Sequence, residues 1–237
     1  MLLKVIHDLP QGACAFDVGC GAGRVTAYLA SKGIRCVGFD MSHVSACLMM
    51  SRSRRPGVVA DNLCLPIRDE QADLVISDGV VHHTEDPFGA FAENCRILKT
   101  GGLMYLAVYK PNGRYAFLYR YPGRLIRWAL RYPAGRLLVH ILLLFLYYLV
   151  HLAKSKGKRT WGGAQNLFYD YFASPRVNFL SLQIIQDWCE NLELRILSFC
   201  SNSSQNVHSF LLQKQCRGKK PAESSPRATT GTGGLQV

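Results

Sequence analysis

A glycine-rich turn near the start of the chain has residue types and a spacing that could hold a ligand. The segment Asp17-Val18-Gly19-Cys20-Gly21-Ala22-Gly23 follows a predicted strand and precedes a predicted helix. Glycines let the backbone turn sharply and approach a ligand where a side chain would occupy the ligand's space. A dinucleotide fingerprint would need GxGxxG, but its last glycine position is Arg24 here. The GxGxG spacing after an acid indicates a nucleotide-type site, with a purely structural turn as the alternative.

Three acids lie where successive predicted strands end. Asp40 follows the second strand, and Asp61 and Asp78 follow the third and fourth. In an open parallel sheet the carboxyl ends of the strands line the ligand crevice, and a carboxylate after the second strand can accept hydrogen bonds from both ribose hydroxyls. Any one of these acids could instead serve as a turn or helix-cap residue. Together, the three indicate a binding site.

The pair His82-His83, just after the fourth predicted strand, is the best candidate for acid–base chemistry. Histidine titrates near neutrality, so it could remove a proton from an attacking hydroxyl, amine or carbon acid. The alternative is a structural histidine at a helix start, paired with a backbone group or with Glu85 or Asp86.

The elements that must position these residues alternate short apolar runs with helical patterns, which is typical of a doubly wound α/β sheet. The predicted strands are 13–18, 35–39, 58–60, 72–77, 103–109, 194–200 and 207–213. The predicted helices are about 24–32, 42–53, 87–98 and 181–192, with a tight turn at Lys99–Gly102 before the fifth strand. We therefore expect a seven-stranded, mostly parallel sheet with an antiparallel last strand and a helical insertion.

On these residues the sequence resembles the class I S-adenosylmethionine-dependent methyltransferases, in particular the methyltransferase type 11 group that includes quinone-biosynthesis enzymes. The resembling segments are Phe16–Gly23, Val37–Ser42, Val59–Pro66, Ala72–His83 and Ala92–Leu106. The resemblance covers about residues 13–110 and, more loosely, 181–213. It implies a Rossmann-like sheet and S-adenosyl-L-methionine as the cofactor.

The resemblance also implies which residues contact each part of the cofactor. Those around the methionine moiety are Asp17, Gly19, Gly21 and Gly23, with Cys20 in the same turn. Those at the ribose and adenine are Asp40 for the ribose, Met41 against the adenine ring, and Asp61 and Asn62 near its amino group. Those beside the transferring methyl are Ser77, Asp78 and Gly79. Because only sixteen residues precede Asp17, the N-terminal helices that cover the cofactor in many members would be short or absent.

A basic and apolar insertion interrupts the strand–helix alternation. The formal net charge is +12, and residues 110–176 hold twelve Lys and Arg against one acid, Asp170. Within this segment the apolar run Leu137–Val150, extending to Ala153, has a length at the lower limit for crossing a bilayer. A single crossing would separate the last two strands from the first five, so we exclude a transmembrane helix. Two expectations remain: a buried helix of a substrate-covering subdomain, or a helix in a membrane interface with Arg and Lys near anionic head groups.

The sequence predicts three parts. They are a methyltransferase core at 1–110 and 181–213, the helical insertion at 111–180, and a tail at 214–237 whose composition from about residue 217 predicts disorder. The nine cysteines form no CxxC pair and no cluster with metal-ligand spacing, so we expect buried free thiols, no metal and a reducing compartment. The expected location is cytoplasmic, and peripheral on a membrane if the insertion binds one.

The expected function is methyl transfer from S-adenosylmethionine to a small, lipophilic or aromatic acceptor. The first alternative is an RNA (tRNA) methyltransferase, since a basic segment with Tyr and Trp could follow phosphates and stack on bases. The continuous apolar run is poor nucleic-acid surface and disfavours it. The second alternative is a non-catalytic cofactor-binding protein. Expected partners are the lipophilic substrate and an anionic membrane surface through residues 114–159, with nucleic acid less favoured.

Overall fold

The computed structural model of this 237-residue chain describes residues 1–158, 160–201 and 206–216. Its contacts divide into two compact units. Unit 1 is Met1–Lys110 together with the described residues from Asn178 onward, and unit 2 is Pro111–Val177. The predicted tail from residue 217 and most of the predicted turn at 201–206 lie outside the described residues.

Unit 1 contains a sheet with helices between its strands. Its strands are β1 (Cys14–Val18), β2 (Arg35–Asp40), β3 (Gly57–Val59), β4 (Ala72–Asp78), β5 (Leu98–Tyr109), β6 (Leu194–Ser201) and β7 (Val207–Lys214). Its helices are α1 (Leu2–His7), α2 (Arg24–Ser31), α3 (His43–Ser53), a 3₁₀ turn (Val81–His83), α4 (Pro87–Ile97) and α10 (Leu182–Asn191). Ser42, Asp86 and Ser181 cap α3, α4 and α10 by accepting backbone N–H bonds, which satisfies otherwise unpaired donors.

The strand order is β3-β2-β1-β4-β5-β7-β6. The pairs from β3 to β5 are parallel, and β7 runs antiparallel to both β5 and β6. The predicted seven-stranded, mostly parallel sheet with an antiparallel last strand is therefore confirmed. The chain order reverses between β1 and β4, and ligands bind at such a switch point, outside the carboxyl ends of the strands.

The sheet separates two apolar layers, because successive side chains on a strand point to opposite faces. Along β4, Val75 belongs to the layer that contains Phe91 of α4. Its neighbours Leu74 and Ile76 belong to the layer that contains Leu29 of α2. All five side chains are fully buried. This double burial explains why the strands read as continuous apolar runs.

The predicted turn at 99–102 is not a separate element before the fifth strand. Strand β5 begins at Leu98, and the four residues that follow lie opposite a single residue of β4, since Ala72 pairs with Leu98 and Leu74 with Leu103. Gly101 in this bulge has a positive φ of 80°, a conformation that glycine adopts without steric cost. Thr100, Gly101 and Gly102 do form an irregular stretch of backbone, as their composition indicates, but they lie within strand β5.

Unit 2 is helical. Its elements are α5 (Arg114–Arg120), α6 (Pro122–Ala129), α7 (Pro133–Leu138), a π-helical turn (Val139–Leu143), α8 (Leu144–Lys154), α9 (Trp161–Phe168) and a second π-helical turn (Tyr169–Ala173). Its apolar core is small, with Val139, Leu144, Phe168 and Phe172 as the buried members. The guanidinium of Arg127 braces this unit, because it donates to the backbone oxygens of Phe172 and Tyr119 and lies 3.9 Å from the Tyr119 ring centroid.

Residues Pro133–Lys154 form one continuous 22-residue helix, here called the apolar helix, which is long and apolar enough to cross a membrane. Only 11% of its most apolar stretch is buried. This exposure favours the second expectation, a helix at a membrane interface, over the buried helix of the first. The argument against a single crossing holds, because β5 precedes the helix and β6 and β7 follow it in one sheet.

The cysteines differ in part from expectation. All nine are free. Four are buried, namely Cys20, Cys36, Cys95 and Cys189, and Cys14 is half-buried. The other four, Cys47, Cys64, Cys200 and Cys216, are exposed.

Candidate functional site

A cavity of about 240 Å³ opens in unit 1 outside the carboxyl ends of β1, β2 and β3, at the predicted edge of the sheet. Its walls include six of the predicted site residues: Gly19, Asp40, Met41, Asp61, Asn62 and His83. The remaining walls are mostly apolar and were not predicted: Val18, Phe39, Ala60, Leu63, Leu65, Val80, Thr84 and Glu85. The site is therefore a slot with apolar sides and polar groups along its rim, suited to a flat ring that carries polar substituents.

The glycine turn is held against β2 by its backbone. The N–H groups of Gly19 and Cys20 both donate to the carbonyl oxygen of Phe39, at 2.7 and 2.9 Å. A Cβ at Gly19 would lie 2.2 Å from a methyl of Val80, so only glycine fits there. A Cβ at Gly21 would meet nothing within 4 Å, and this residue also has a positive φ of 50°. The turn thus presents bare backbone to open space at Gly21.

Asp17 and Cys20 point into the protein rather than into open space. Asp17 is buried and accepts two hydrogen bonds from Thr26, from the backbone N–H at 3.1 Å and from the hydroxyl at 2.6 Å. Burial raises the pKa of Asp17 to about 6. The Cys20 side chain lies near Gly38 of β2, and burial raises the pKa of its thiol to about 12, with Asp17 and Asp40 adding to the shift. Both residues fix the turn on α2 and β2.

Asp40 connects the end of β2 to the glycine turn. One carboxylate oxygen accepts a hydrogen bond from Gly21 N–H at 2.8 Å, and the other accepts one from Ser42 N–H at 2.9 Å. Each carboxylate oxygen has about two acceptor positions, so both oxygens keep capacity for a further donor. The carboxylate is therefore fixed in orientation at the rim of the cavity.

The other predicted nucleoside contacts lie around the same cavity. Met41 is 75% exposed, and Asp61 accepts a hydrogen bond from Leu63 N–H at 2.9 Å, which shapes the loop after β3. Asn62 is 92% buried, and both its amide oxygen and its amide nitrogen have no hydrogen-bond partner in the described part of the chain. Buried amides are usually paired, and because Asn62 also lines the cavity, its donor and acceptor are available to a ligand bound there.

Ser77, Asp78 and Gly79 end β4 beside the glycine turn and are not part of the cavity wall. The Ser77 hydroxyl is fully buried and unpaired among the described residues. Burial raises the pKa of the Asp78 carboxyl. The Arg24 guanidinium, whose Nη2 lies 3.8 Å from Asp78 Oδ2, lowers this pKa in part. Gly79 has a positive φ of 83° and donates its N–H to Ala107 of β5.

The two histidines have different environments. His82 is fully buried between His83 and Tyr109, and its Nδ1 accepts from the Tyr109 N–H at 3.4 Å. Burial lowers the pKa of His82 well below its usual value, so it is neutral, with its proton assigned to Nε2. His83 is half-buried and lines the cavity. Of the predicted acid–base pair, only His83 is placed to meet a ligand.

A larger concavity lies at the opposite edge of the sheet, near the start of β5. Its charged side chains pair with one another: Arg96 with Asp69 at 2.6 Å, and Lys214 with Glu70 at 3.3 Å. Lys214 also donates to the backbone oxygens of Cys95 and Leu98. These groups hold β5, β7 and α4 together, so the concavity is structural.

The segment of this chain that is similar to known proteins includes the residues that line the cavity. The family described as "Methyltransferase domain" matches residues 16–106. A probable tRNA methyltransferase 9B from Mus musculus is 34% identical over 111 residues, which are 45% of this chain and 24% of that protein. A malonyl-(acyl-carrier protein) O-methyltransferase from Methylococcus capsulatus is 31% identical over 117 residues, which are 46% of this chain and 42% of that protein. The chain thus spans less than half the length of these relatives.

A comparison with solved structures extends the likeness in fold. The crystal structure of an S-adenosylmethionine-dependent methyltransferase from Methanosarcina mazei matches with a TM-score of 0.58 and 18% sequence identity. The match covers 89% of this chain and 97% of that one. At this identity the match concerns the fold alone.

Proposed function

We propose that this chain, which carries in residues 16–106 a methyltransferase domain of the class I S-adenosylmethionine-dependent family, methylates a small, lipophilic or aromatic acceptor. The family, the fold and S-adenosylmethionine as the cofactor are as predicted from the sequence. The observation that carries the proposal is the cavity at the switch point, where Asp40 is fixed at the rim and the buried Asn62 amide has no partner among the described residues. The acceptor class is our inference.

The residues present fit a nucleoside with an attached amino acid. The Asn62 amide offers one acceptor and one donor group, which suit the amino group and a ring nitrogen of adenine. Asp40 has lone pairs left for the ribose hydroxyls, and the apolar walls at Phe39 and Leu65 suit the faces of the ring. The open backbone at Gly21 leaves room for the methionine portion.

S-adenosylmethionine supplies a methyl group on a positively charged sulfur, a strong electrophile. Asp40 and Asn62 would hold this cofactor, which would supply the methyl group of its carbon–sulfur bond to the acceptor atom and leave as S-adenosylhomocysteine. The protein's main task is to hold the acceptor in line with that bond. Where the acceptor atom carries a proton, His83 is the residue placed to remove it, since its imidazole lines the cavity and imidazole nitrogens can accept a proton.

The position of the insertion in the chain supports a role for unit 2 in acceptor recognition. The chain leaves unit 1 after β5, whose carboxyl end lies at the ligand edge of the sheet. It re-enters at Asn178, which donates to the backbone oxygens of His82 and Thr84, and Thr84 lines the cavity. Both junctions are therefore at the edge that carries the site. The apolar and aromatic surface of unit 2 favours a lipophilic acceptor.

A matched pair of asparagines tests the cofactor site. Asn94 of α4 is also buried, and its amide likewise finds no partner in the part of the chain that the structure describes, but it does not line the cavity. We expect Asn62→Ala to weaken binding of S-adenosylhomocysteine about tenfold by calorimetry, the value of one lost hydrogen bond to a buried group. Asn94→Ala should leave the affinity unchanged. Equal affinities for the two variants would contradict the site assignment.

A tRNA methyltransferase is the second candidate, favoured by the named relative and by the basic insertion. Transfer of tritium from labelled S-adenosylmethionine separates the candidates when extracted RNA and extracted lipids with small metabolites are offered to the same enzyme. Label in the organic fraction would support the lipophilic acceptor. Label in RNA would replace it with the second candidate, and cofactor binding without label in any fraction would indicate a non-catalytic protein.

A further inference from the structure

We propose that unit 2 binds the surface of an anionic lipid bilayer, with the apolar helix lying parallel to the membrane plane at the boundary between head groups and acyl chains. This proposal concerns where the protein acts and does not depend on the methyl transfer. Three features of unit 2 support it: an exposed apolar helix face, exposed aromatic pairs and a large excess of positive over negative charge.

One face of the apolar helix is apolar and exposed. Its members follow at intervals of three and four residues, which places them on one side of a helix. They are Leu138, Ile141, Leu142, Phe145, Leu146 and Leu149. The opposite side packs on unit 2 itself: Val139 and Leu144 join Phe168 in its core, and His140 hydrogen-bonds the Tyr169 hydroxyl. Soluble monomers rarely expose a contiguous apolar patch of this kind, which marks a surface for a partner.

Exposed aromatic side chains on the neighbouring helices point to a lipid interface as that partner. Phe117 and Tyr121 contact each other with tilted rings whose centroids are 4.9 Å apart, and Trp128 and Tyr132 meet edge to face at 5.3 Å. All four rings are more than half exposed. Trp and Tyr are enriched at membrane interfaces because one end of each ring system is apolar and the other polar.

The charge of unit 2 fits an anionic surface. Its sequence contains one acid, Asp170, and the cations flank the apolar helix on both sides. The exposed cations among the described residues of unit 2 are Arg114, Arg120, Arg124, Arg131, Arg136, Lys154, Lys156, Lys158 and Arg176. Between Arg136 and Lys154 the helix contains no Lys, Arg, Asp or Glu. Basic residues around an apolar helix are the pattern of elements that bind anionic membranes.

The sheet determines the orientation. Because β5 and β7 pair in unit 1, the two ends of the insertion lie on the same side of any membrane. The apolar helix is the only candidate span among the described residues, so no second span could return the chain. The apolar helix has 22 residues and is about 33 Å long, which is enough to cross a bilayer, but because its two ends must stay on the same side it lies in the membrane surface.

The test uses the full chain with vesicles of phosphatidylcholine alone and vesicles with 30% phosphatidylglycerol. We expect co-sedimentation with the anionic vesicles, and at least tenfold weaker binding to the neutral ones or in 0.5 M salt. The double variant Leu142→Ser, Phe145→Ser should bind at least tenfold more weakly. Its control is Val44→Ser, Leu48→Ser, which changes exposed apolar residues of α3 in unit 1 and should bind like the wild type. A charge variant, Arg124→Gln with Arg131→Gln, should lose the preference for anionic vesicles, whereas Arg52→Gln with Arg68→Gln should keep it.

Each other outcome overturns the proposal. These are no binding to either vesicle, or binding that the unit 2 variants do not weaken. A lipid-free dimer in sedimentation that Leu142→Ser, Phe145→Ser dissociates would assign the helix face to a second copy of the chain. Release from vesicles by tRNA, with direct RNA binding lost in the charge variant, would assign the cations to nucleic acid. Vesicle co-sedimentation, self-association, release by tRNA and direct RNA binding are all measured without methyl transfer. A failure of the membrane proposal is therefore distinguishable from a failure of the proposed enzyme activity.

Discussion

The two units of this molecule use apolar residues in opposite ways. Unit 1 places them in two layers that bury both faces of a sheet, and its polar site residues gather where the strands end. Unit 2 buries four residues in its core and exposes a larger number, including Leu125 at 70% and Ile141 at 65%. The same residue types therefore hold the fold together in unit 1 and form an external surface in unit 2.

This difference shows when the burial of an apolar segment can be predicted from its sequence and when it cannot. A run of four to seven residues between turn signals has a determined place in a parallel sheet, because helices must cover both faces. A run of fourteen residues in a helical segment fits a buried helix and an exposed one equally well. Its burial depends on how much other chain is available to cover it, and unit 2 has only a few short helices for that purpose.

The largest contrast is expected from matched phenylalanines. Phe91→Ala should lower the free energy of unfolding by about 3–5 kcal/mol, because it leaves a cavity in a fully buried layer of unit 1. Phe145→Ala, at a side chain that is 48% exposed, should lower it by less than about 1 kcal/mol. Denaturant unfolding followed by circular dichroism measures both. A similar loss for the two would mean that the apolar helix is buried in solution, against both the structure and the membrane proposal.

Most of unit 1 could be predicted from the sequence, since local signals and the fold agree there. Ser42 and Ser181 cap the helices they were expected to start, and the strands differ by one or two residues from expectation, apart from the earlier start of β5. The start of β5 was missed because Thr100, Gly101 and Gly102 have the composition of a turn. A bulge uses the same residue types as a turn, and only the partner strand distinguishes the two.

The candidate site was predicted in part. Gly19 and Asp40 at the rim were predicted from a glycine turn and an acid at strand ends, whereas Asn62 was predicted only from the family resemblance. The apolar walls, such as Leu65 and Val80, were missed because such residues look like core in a sequence. His82 and His83 could not be separated either, since adjacent residues have the same motif context, and only the 3₁₀ turn turns one inward and the other to the cavity.

The two histidines give the next prediction. If His83 removes a proton from the acceptor, His83→Asn should lower kcat about 100-fold, the usual contribution of a general base. Affinity for S-adenosylhomocysteine should change little. The same substitution at His82 should act on stability first, so its kcat per folded protein should stay within a few-fold of the wild type. An unchanged kcat in His83→Asn would restrict catalysis to positioning of the acceptor.

A smaller effect is expected at the rim of the cofactor cavity. Asp40→Ala should weaken binding of S-adenosylhomocysteine about tenfold to thirtyfold, by loss of charge-assisted hydrogen bonds to the ribose and to Gly21 N–H. Calorimetry measures the affinity. Asp187→Ala is the control, because Asp187 lies exposed on α10 and accepts from Gln183 only within that helix. Equal affinities would exclude Asp40 as the ribose ligand.

Burial of His82 predicts a pH dependence of stability in unit 1. Its folded pKa lies well below 6.5, so below pH 6.5 the unfolded state gains a proton that the folded state does not. Stability from this group is complete above pH 6.5 and falls on acidification by up to about 1.4 kcal/mol per pH unit. His82→Asn should remove about 1 kcal/mol of the difference between pH 6.5 and pH 5.5 in chemical unfolding. The same slope in wild type and variant would show that His82 takes up a proton in the folded protein.

The smallest expected effect is a change in hydrogen-exchange protection that tests whether the two units unfold separately. Arg127→Met keeps a long side chain but removes the donors to Phe172 and Tyr119 and the contact with the Tyr119 ring. We expect a loss of about 1 kcal/mol in the protection of unit 2 amides against hydrogen exchange. Protection in β1, β4 and β5 should not change, and Arg124→Met, at an exposed position of the same helix, should change neither unit. Because the Arg127 interactions lie wholly within unit 2, an equal loss in both units would mean that they unfold as one cooperative body.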